Sequence, residues 1–523
     1  MKSGTAPRVM IIGLDGADWP LLRVLFADGA MPTLKSFVEG STSAPMESVL
    51  PTNSMSAWTS LMTGVNPGKH SVFDFVRRTR TPFRTFVTNS SVIRFPTIWE
   101  TLSSNGLSSC VIDMPPLYPP FRINGVMLGG IGAVTKARRA YSWPVEAAEE
   151  VERAVGEFLP DVPWVGKAGR QVELVTDLIS LVENRQRVAE VLLDGRPVDL
   201  FCMVFVAPDR IQHVFYQDLT EQGPQYPLAR RFYTALDEAL ARLLERVDLT
   251  TTDVLIVSDH GFRRFSTTFD VNQFLVEAGL MRWRWENPPV AKGLRLAKRV
   301  FKPLSGQIDK VLERPRLRPR RQLLPESVAY SDIADSVNVN LAGRETTGRV
   351  PQARFDEVRD MVAARLLEFR DPETGDPVIR RLIKREDYFG GQYAGEAPDL
   401  VLECHDGYAY NRFLGKLTFR WTYCQGVHSL HGIIAALGPH FRRNTEAPLV
   451  SILQVAPTVF SLLGVAPPEG TDGRVAEELL VGPTAPTSGP PTPPPERREE
   501  PGTYSEEEEE LVRKRLQGLG YID

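Results

Sequence analysis

Val9-Met10-Ile11-Ile12-Gly13-Leu14-Asp15 is the stretch that says most about the fold of this 523-residue chain. Six uncharged residues are followed at once by an acidic one. A short apolar run without polar alternation is typical of a parallel strand buried on both faces, and it falls well below the ~18 apolar residues of a membrane span. We therefore predict a buried strand whose carboxyl end presents Asp15, at the edge where open α/β sheets bind ligands.

Similar apolar runs recur along the chain and alternate with helical patterns. The other predicted strands are Ser109–Met114, Leu200–Val206, Val254–Val257, Pro398–Glu403 and Gly432–Leu437. The predicted helices include Pro32–Glu39, Thr97–Ser103, Leu228–Val247 and Val450–Leu463. This alternation predicts a doubly wound α/β fold, with a mostly parallel sheet sandwiched by helices.

Composition excludes several classes of protein. The chain has 61 Lys+Arg and 65 Asp+Glu, a net charge of −4, and 42% hydrophobic residues. This balance argues against a general nucleic-acid binder and against a mainly disordered chain. The four cysteines form no CxxC pair, and we find no signal-peptide or transmembrane pattern, so we expect a cytoplasmic protein.

Two segments interrupt the pattern and suggest a domain organisation. We expect residues 1–480 to form one catalytic domain, with a basic insertion at 282–330 in which Arg282–Arg321 carries a net charge of +10. A helical stripe from Leu294 to Val311 lies inside this insertion. Two interpretations stay open, a solvated basic face and a cap that attracts an anionic substrate or a membrane headgroup layer.

The C-terminal region is predicted to be a linker followed by a helical tail. Residues 481–503 are rich in proline and should be stiff and extended. In residues 504–523, Ser505 and Glu508 match a capping box, and Val512, Leu516 and Leu519 form a narrow apolar stripe. We expect this tail to dock onto the chain's own body or onto a protein partner.

Several acidic and imidazole side chains lie next to predicted strands. Asp209 and His213 follow one strand at a spacing of four, which places them on one face of a helix. Asp259-His260 follows another strand, and His428 precedes a third. Together with Asp15, these oxygen and nitrogen ligands suit Zn²⁺, with Mn²⁺ or Fe as alternatives.

A reacting hydroxyl is sought in Pro51–Thr59, a loop that enters a predicted helix ending at Thr63-Gly64. Thr52, Ser54 and Ser56 are all candidates, because the N-terminus of a helix favours anions. The alternative is that all three are N-capping residues. These residues alone do not choose among the possibilities.

Taken in order, these motifs resemble the alkaline phosphatase superfamily, in particular its type I phosphodiesterase/nucleotide pyrophosphatase branch. The resemblance covers roughly residues 8–465 in scattered blocks. The matching stretches are Ile12–Gly16, Pro51–Ser54, Met62–His70, Asp209–His213, Ser258–Gly261, Val339–Arg344, Gly426–His428 and Ala456–Val459. The order and the spacing of the blocks both agree with that branch.

The resemblance implies a phosphoesterase with two divalent metal ions, Zn²⁺ or Mn²⁺. It assigns Asp209, His213 and His428 to one ion, and Asp15, Asp259, His260 and the Ser54 oxygen to the other. Ser54 would be the catalytic nucleophile, forming a phosphoseryl intermediate. The substrate would be a phosphate ester of a small molecule, nucleotide, glycan or lipid, with diester, pyrophosphate and monoester bonds all open.

Three alternatives stay open beside this hydrolase. A phosphomonoesterase or a phosphotransferase could use the same site, and a non-catalytic protein could keep the fold and bind partners through the basic insertion. The chain departs from nucleotide pyrophosphatases at Phe75, where relatives carry an asparagine that contacts phosphate. Arg77, Arg78 or the basic insertion could replace that contact. We expect His70 to support a loop, and His431 to lie either beside the ligands or exposed.

Overall fold

The computed structural model describes residues 6–80, 83–130, 132–133, 141–162, 169–286, 320–333, 335–412, 415–420, 423–482, 504 and 506–518. Its strands are β1 Val9–Leu14, β2 Thr42–Glu47, β3 Val76–Arg80, β4 Phe83–Val87, β5 Ser109–Ile112, β6 Gly125–Leu128, β7 Ser142–Trp143, β8 Leu200–Phe205, β9 Asp253–Val257, β10 Gly261–Asp270, β11 Trp283–Glu286, β12 Arg320–Leu323, β13 Ala329–Tyr330, β14 Ser336–Val339, β15 Ile379–Lys384, β16 Leu400–Cys404, β17 Gly407–Asn411, β18 Thr418–Arg420, β19 Gly426–Ser429, β20 His431–Leu437, β21 Thr445–Glu446 and β22 Val450–Ser451.

The α-helices surround these strands. They are α1 Trp19–Ala27, α2 Pro32–Gly40, α3 Ser54–Thr63, α4 Pro67–His70, α5 Ile98–Ser104, α6 Val145–Val155, α7 Gln171–Gly195, α8 Ala207–Glu221, α9 Tyr226–Leu244, α10 Val271–Glu277, α11 Phe355–Glu368, α12 Arg385–Tyr388, α13 Val455–Leu463 and α14 Glu506–Gly518.

The main sheet has ten strands in the order β21-β2-β20-β9-β1-β8-β5-β6-β7, with β22 paired to β2. The central strands β9, β1, β8, β5 and β6 are parallel, so their carboxyl ends share one edge. Every residue of β1, β5, β8 and β9 is buried, which explains their unbroken apolar sequences. Helices α2, α7 and α8 all pack against α9, and α3 and α5 both pack against α13, so helices flank the sheet and the predicted sandwich is confirmed.

The later part of the chain differs from the prediction. The strand expected at Pro398–Glu403 is β16, which lies in a separate sheet with the order β13-β14-β16-β15 and has its own apolar core. Gly432–Leu437 forms most of β20, which joins the main sheet but runs antiparallel to β9. Within Val450–Leu463 the α-helix occupies only Val455–Leu463. Sheet membership depends on distant pairing partners, which an apolar run does not reveal.

The two ends of the basic insertion pair with each other. Trp283 is aligned with Leu323 and Glu286 with Arg320 in the antiparallel ladder of β11 and β12. The predicted helical stripe between Leu294 and Val311 lies outside the described residues.

The C-terminal helix docks onto the chain's own body. Val512 and Leu516 of α14 are buried in the main apolar core. The Tyr504 ring stacks on Tyr118 at 5.2 Å, and its hydroxyl donates to the Gly132 carbonyl at 3.1 Å. The structure thus places the tail on its own domain, while Ser505, Leu519 and the proline-rich segment 483–503 lie outside the described residues.

Across the described ranges, none of the helices combines the length and the apolarity that a bilayer crossing requires. The expected cytoplasmic location stays a prediction.

Candidate active site

Three carboxylates meet at the carboxyl edge of the main sheet. Asp15 follows β1, Asp259 follows β9, and Asp209 lies in the first turn of α8, just after β8. All three are buried. They converge because β9, β1 and β8 are parallel neighbours, with Gly13 aligned with both Val204 and Val257.

Asp209 and His213 share one face of α8, as their spacing predicts. Asp209 Oδ1 lies 3.4 Å from His213 Nε2 and 3.0 Å from His428 Nε2. The two Nε2 atoms are themselves 3.2 Å apart. His428 arrives from β19, which pairs with β10 so that His428 lies opposite Phe262.

Backbone carbonyls fix the orientation of both rings. His213 Nδ1 lies 3.0 Å from the Gly426 carbonyl, and His428 Nδ1 lies 3.0 Å from the Thr52 carbonyl. A carbonyl only accepts hydrogen bonds, so Nδ1 carries the proton, and in the neutral ring Nε2 presents its lone pair. Two nitrogen lone pairs and a carboxylate oxygen therefore point at one another, which suits a bound cation.

His260 is oriented in the same way toward the other carboxylates. Its Nδ1 lies 3.1 Å from the Gly261 carbonyl, which leaves Nε2 facing Asp259 Oδ2 at 3.3 Å and Asp15 Oδ1 at 3.8 Å. Asp259 Oδ2 is buried and accepts no hydrogen bond from the described residues. A buried carboxylate oxygen without a donor is costly unless a cation compensates its charge.

Asp209 has a more central position than the sequence predicts. The ligand atoms of Asp209, His213 and His428 lie within 4.8 Å of one another, and so do those of Asp15, Asp209 and His260. The sequence-based grouping placed Asp259, instead of Asp209, with Asp15 and His260. In the structure Asp259 adjoins that second group through His260, and Asp209 belongs to both groups.

The electrostatics of the site indicate an excess of buried negative charge. Burial raises the pKa of Asp15 well above its usual range, and the Asp259 and Asp209 carboxylates raise it further. Burial likewise raises the pKa of Asp259 to about 7, although the Gly16 amide donates to it at 3.2 Å. The donor set, rich in carboxylates and imidazoles, fits divalent cations, which would offset this charge.

The structure separates the three candidate hydroxyls. Ser54 is the first residue of α3, and its Oγ donates to Asp15 Oδ1 at 3.3 Å and lies 3.4 Å from His260 Nε2. Ser56 Oγ is buried without a hydrogen-bond partner among the described residues, and the Thr52 hydroxyl donates to the Val49 carbonyl. Asn53 is the actual N-cap, so the capping interpretation is wrong for all three.

Some contributors to the site carry no recognisable sequence signal. The Thr52 and Gly426 carbonyls act through the backbone, which any residue type provides. Trp58 Nε1 donates to Asp15 Oδ2 at 3.4 Å, and Arg210 donates to Asp209. Arg210 lies inside the motif Asp209–His213, and Trp58 follows Ser54 by four residues. These sequence positions are the signal from which their place in the site could have been predicted.

Gly426 has a steric reason to be glycine. A Cβ at this position would lie 2.5 Å from the Gln212 carbonyl oxygen and 2.7 Å from Tyr216 Cβ, both on α8. Gly426→Ala should therefore push β19 away from α8 and separate His428 from His213. Because misplacement by about 1 Å can cost about 10²-fold in rate, we expect a loss of that order in kcat/KM. Gly395→Ala is the control, since a Cβ there meets open space; equal activity of the two variants would contradict the steric argument.

Phe75 and Arg77 stand where the sequence departs from nucleotide pyrophosphatases. Phe75 is buried in the main core, and Arg77 donates to Glu396 at 2.8 Å, so its guanidinium is already paired. The Arg78 side chain and residues 287–319 lie outside the described residues. His70 lies 2.8 Å from Ser60 Oγ and supports its loop as predicted, while His431 is exposed.

Comparison with known proteins gives a matching family and two solved structures with a similar fold. The profile of the type I phosphodiesterase / nucleotide pyrophosphatase family matches residues 9–429. Human ectonucleotide pyrophosphatase/phosphodiesterase 5 has a similar fold, with a TM-score of 0.54, 14% identity and coverage of 91% of this chain and 100% of that chain. An inactive variant of the murine protein, solved in complex with AMP, gives a TM-score of 0.53, 13% identity and the same coverages.

Among curated proteins, none matches the sequence. At these identities the two solved structures support the fold, whereas the profile extends through every strand-end motif from Asp15 to His428. The chain therefore belongs to the type I phosphodiesterase/nucleotide pyrophosphatase family, a branch of the alkaline phosphatase superfamily, and is a phosphoric ester hydrolase.

Proposed function

We propose that the chain hydrolyses phosphodiester or pyrophosphate bonds with two metal ions and with Ser54 as the nucleophile. The observation that carries this proposal is the position of Ser54 Oγ, within 3.4 Å of both Asp15 and His260 at the first residue of a helix. A nucleophile, a group of cation ligands and a helix N-terminus that favours anions thus coincide.

The six acidic and imidazole residues fall into two ligand sets. Asp209, His213 and His428 would hold one ion, and Asp15, Asp259, His260 and Ser54 Oγ would hold the other. The Asp209 carboxylate lies within reach of both sets, so Asp209 would also contribute to the second one. Divalent ions held there would supply Lewis-acid charge for the transferred phosphoryl group and lower the pKa of the attacking oxygens.

Ser54, Asp15 and the start of α3 would carry out the first step of the reaction. Ser54 Oγ forms a bond to phosphorus while the bond from phosphorus to the leaving oxygen breaks, which gives a phosphoseryl intermediate. The Ser54 proton has an acceptor in Asp15 Oδ1 at 3.3 Å. The backbone amides in the first turn of α3 would be available to the phosphoryl oxygens, apart from the Ser56 amide, which donates to Asn53 Oδ1. Water then displaces Ser54 and restores the hydroxyl.

A nucleotide is the substrate we favour among phosphate esters. The murine structural neighbour was solved with AMP, and both similar structures are of nucleotide pyrophosphatase/phosphodiesterases. The family matched by the chain is defined by the same chemistry. Diesters and pyrophosphates that release a nucleoside monophosphate are therefore the first compounds to test.

Metal removal tests the function directly. We expect hydrolysis of bis-p-nitrophenyl phosphate to be lost on treatment with a chelator and restored by Zn²⁺ or Mn²⁺, because the ligand sets hold the ions that activate the site. p-Nitrophenyl phosphate, measured in parallel, should react more slowly. Faster monoester cleavage would reassign the chain as a phosphomonoesterase, and activity that resists exhaustive chelation would reject the two-metal proposal.

A further inference from the structure

Arg210 is a fully buried cation directly behind the ligand groups. Its NH1 donates to Asp209 Oδ2 at 2.7 Å, and its NH2 lies 3.3 Å from Asp161 Oδ2. The side chains of Arg210, Asp209 and Asp161 are exposed by only 1%, 0% and 5%. A buried charge is retained at such a site only when its partners compensate the cost of desolvation.

The two oxygens of Asp209 therefore face different partners. Oδ2 accepts from Arg210, and Oδ1 faces His428 Nε2 at 3.0 Å and His213 Nε2 at 3.4 Å. A carboxylate can rotate about its χ2 torsion, which is broad and roughly two-fold. The planar guanidinium, with its fixed donor directions, restricts that rotation more than the point charge of a lysine would.

Asp161 belongs to a segment that is held against α7. The Asn184 side chain accepts from the Leu159 amide at 3.3 Å and donates to the Glu157 carbonyl at 3.0 Å. Arg185 donates to the Pro160 carbonyl at 3.2 Å and to Asp113 Oδ2 at 2.5 Å. Arg210 thus connects Asp209 to segment 157–162 through alternating buried charges.

We infer that Arg210 is a positioning residue for metal binding: it turns Asp209 Oδ1 toward His213 and His428, and it links this ligand to segment 157–162. The inference rests on the proposed function, since it takes Asp209 as a metal ligand. Within the described part of the chain, Arg210 contacts the ligand group through Asp209, so it is a positioning residue and not a catalytic one. Removing an outer partner of a metal ligand typically lowers metal affinity about 10–100-fold.

Zinc affinity of a charge-balanced double variant tests the first half of the inference. Arg210→Gln combined with Asp161→Asn removes one buried cation and one buried anion, so the net buried charge is unchanged while Asp209 Oδ2 loses its charged donor. Competition with a chromophoric zinc chelator should show zinc binding weakened about 10–100-fold. Arg230→Gln is the matched control, because the Arg230 side chain is 36% exposed and pairs with Asp28 away from the site. Wild-type zinc affinity in the double variant would overturn the inference.

Hydrogen exchange tests the link to segment 157–162. In the wild-type chain, zinc should slow amide exchange in peptides that cover this segment. Asp161→Ala leaves Arg210 without an acceptor at residue 161 and keeps the contact between Arg210 and Asp209. It should therefore bind zinc more tightly than the double variant while losing the zinc-dependent protection. Unchanged protection in Asp161→Ala would refute the link.

Two further measurements keep the test interpretable. The circular dichroism spectrum shows whether the double variant folds like the wild-type chain. If it does not, Arg210→Lys replaces it, because lysine keeps the positive charge and loses the planar, two-pronged donor geometry. Wild-type zinc affinity in Arg210→Lys would then overturn the inference. Zinc binding by a wild-type chain that hydrolyses no phosphate ester would reject the proposed function alone, since the zinc titrations do not depend on turnover.

Discussion

Ser54→Ala is expected to abolish phosphate-ester hydrolysis, with a loss of about 10³-fold or more in kcat. The substitution removes the only atom that can bond to phosphorus in the proposed first step. Zinc binding should largely persist, because the acidic and imidazole ligands are untouched. Substrate turnover and zinc content, measured on the same preparation, therefore separate loss of the nucleophile from loss of the metal site.

Ser56→Ala is the informative comparison for this experiment. Ser56 stands on the same helix, is equally buried, and has an oxygen without a hydrogen-bond partner among the described residues. It should keep most of the activity. Acid quenching during turnover of a diester labelled at phosphorus should trap the labelled phosphoryl group, still carrying its remaining ester substituent, on the wild-type chain and on Ser56→Ala, and none on Ser54→Ala. Turnover at the wild-type rate in Ser54→Ala would reject the assigned nucleophile.

The central part of the fold could be predicted because burial on both faces leaves a direct sequence signal. β1 and β8 consist entirely of buried residues, and their carboxyl ends could be located from the first polar residue that follows. β16 is just as apolar, yet it pairs with β14 and β15 in another sheet. An apolar run reports burial, whereas the choice of neighbour depends on contacts far away in sequence.

The members of the candidate site were predictable, but their relations were not. Positions at strand ends predicted that Asp15 and Asp259 lie in the site, and the helical spacing predicted the same for Asp209 and His213. Ser54 was predicted as the nucleophile from the family resemblance. The central position of Asp209 depends on where its two oxygens point, which is set by Arg210 and by the two histidines. The proton positions on those histidines depend on backbone carbonyls. No sequence pattern predicts the orientation of the Asp209 oxygens or the proton positions on the two histidines.

Asp209→Asn is expected to remove both metal ions, whereas Asp259→Asn should remove one. Asp209 Oδ1 lies within 4.8 Å of the ligand atoms of both groups, while Asp259 adjoins only the group that contains His260. After dialysis against limiting zinc, we expect two zinc ions per wild-type chain, one per Asp259→Asn chain and none per Asp209→Asn chain. Elemental analysis of the dialysed proteins measures this directly.

The contact between Arg210 and Asp209 explains why Asp209→Asn, although similar in size, should weaken zinc binding strongly. The side-chain amide of asparagine has one acceptor oxygen, whereas a carboxylate has two. In the wild-type chain Arg210 donates to one of the two, Asp209 Oδ2, at 2.7 Å. Pairing with Arg210 would therefore turn the NH₂ group of the amide toward the Nε2 atoms of His213 and His428, where a cation ligand is needed. The zinc affinity should fall by more than the roughly 100-fold upper limit for losing an outer partner. Retention of two zinc ions by Asp209→Asn would instead mean that each ligand set is complete without this carboxylate.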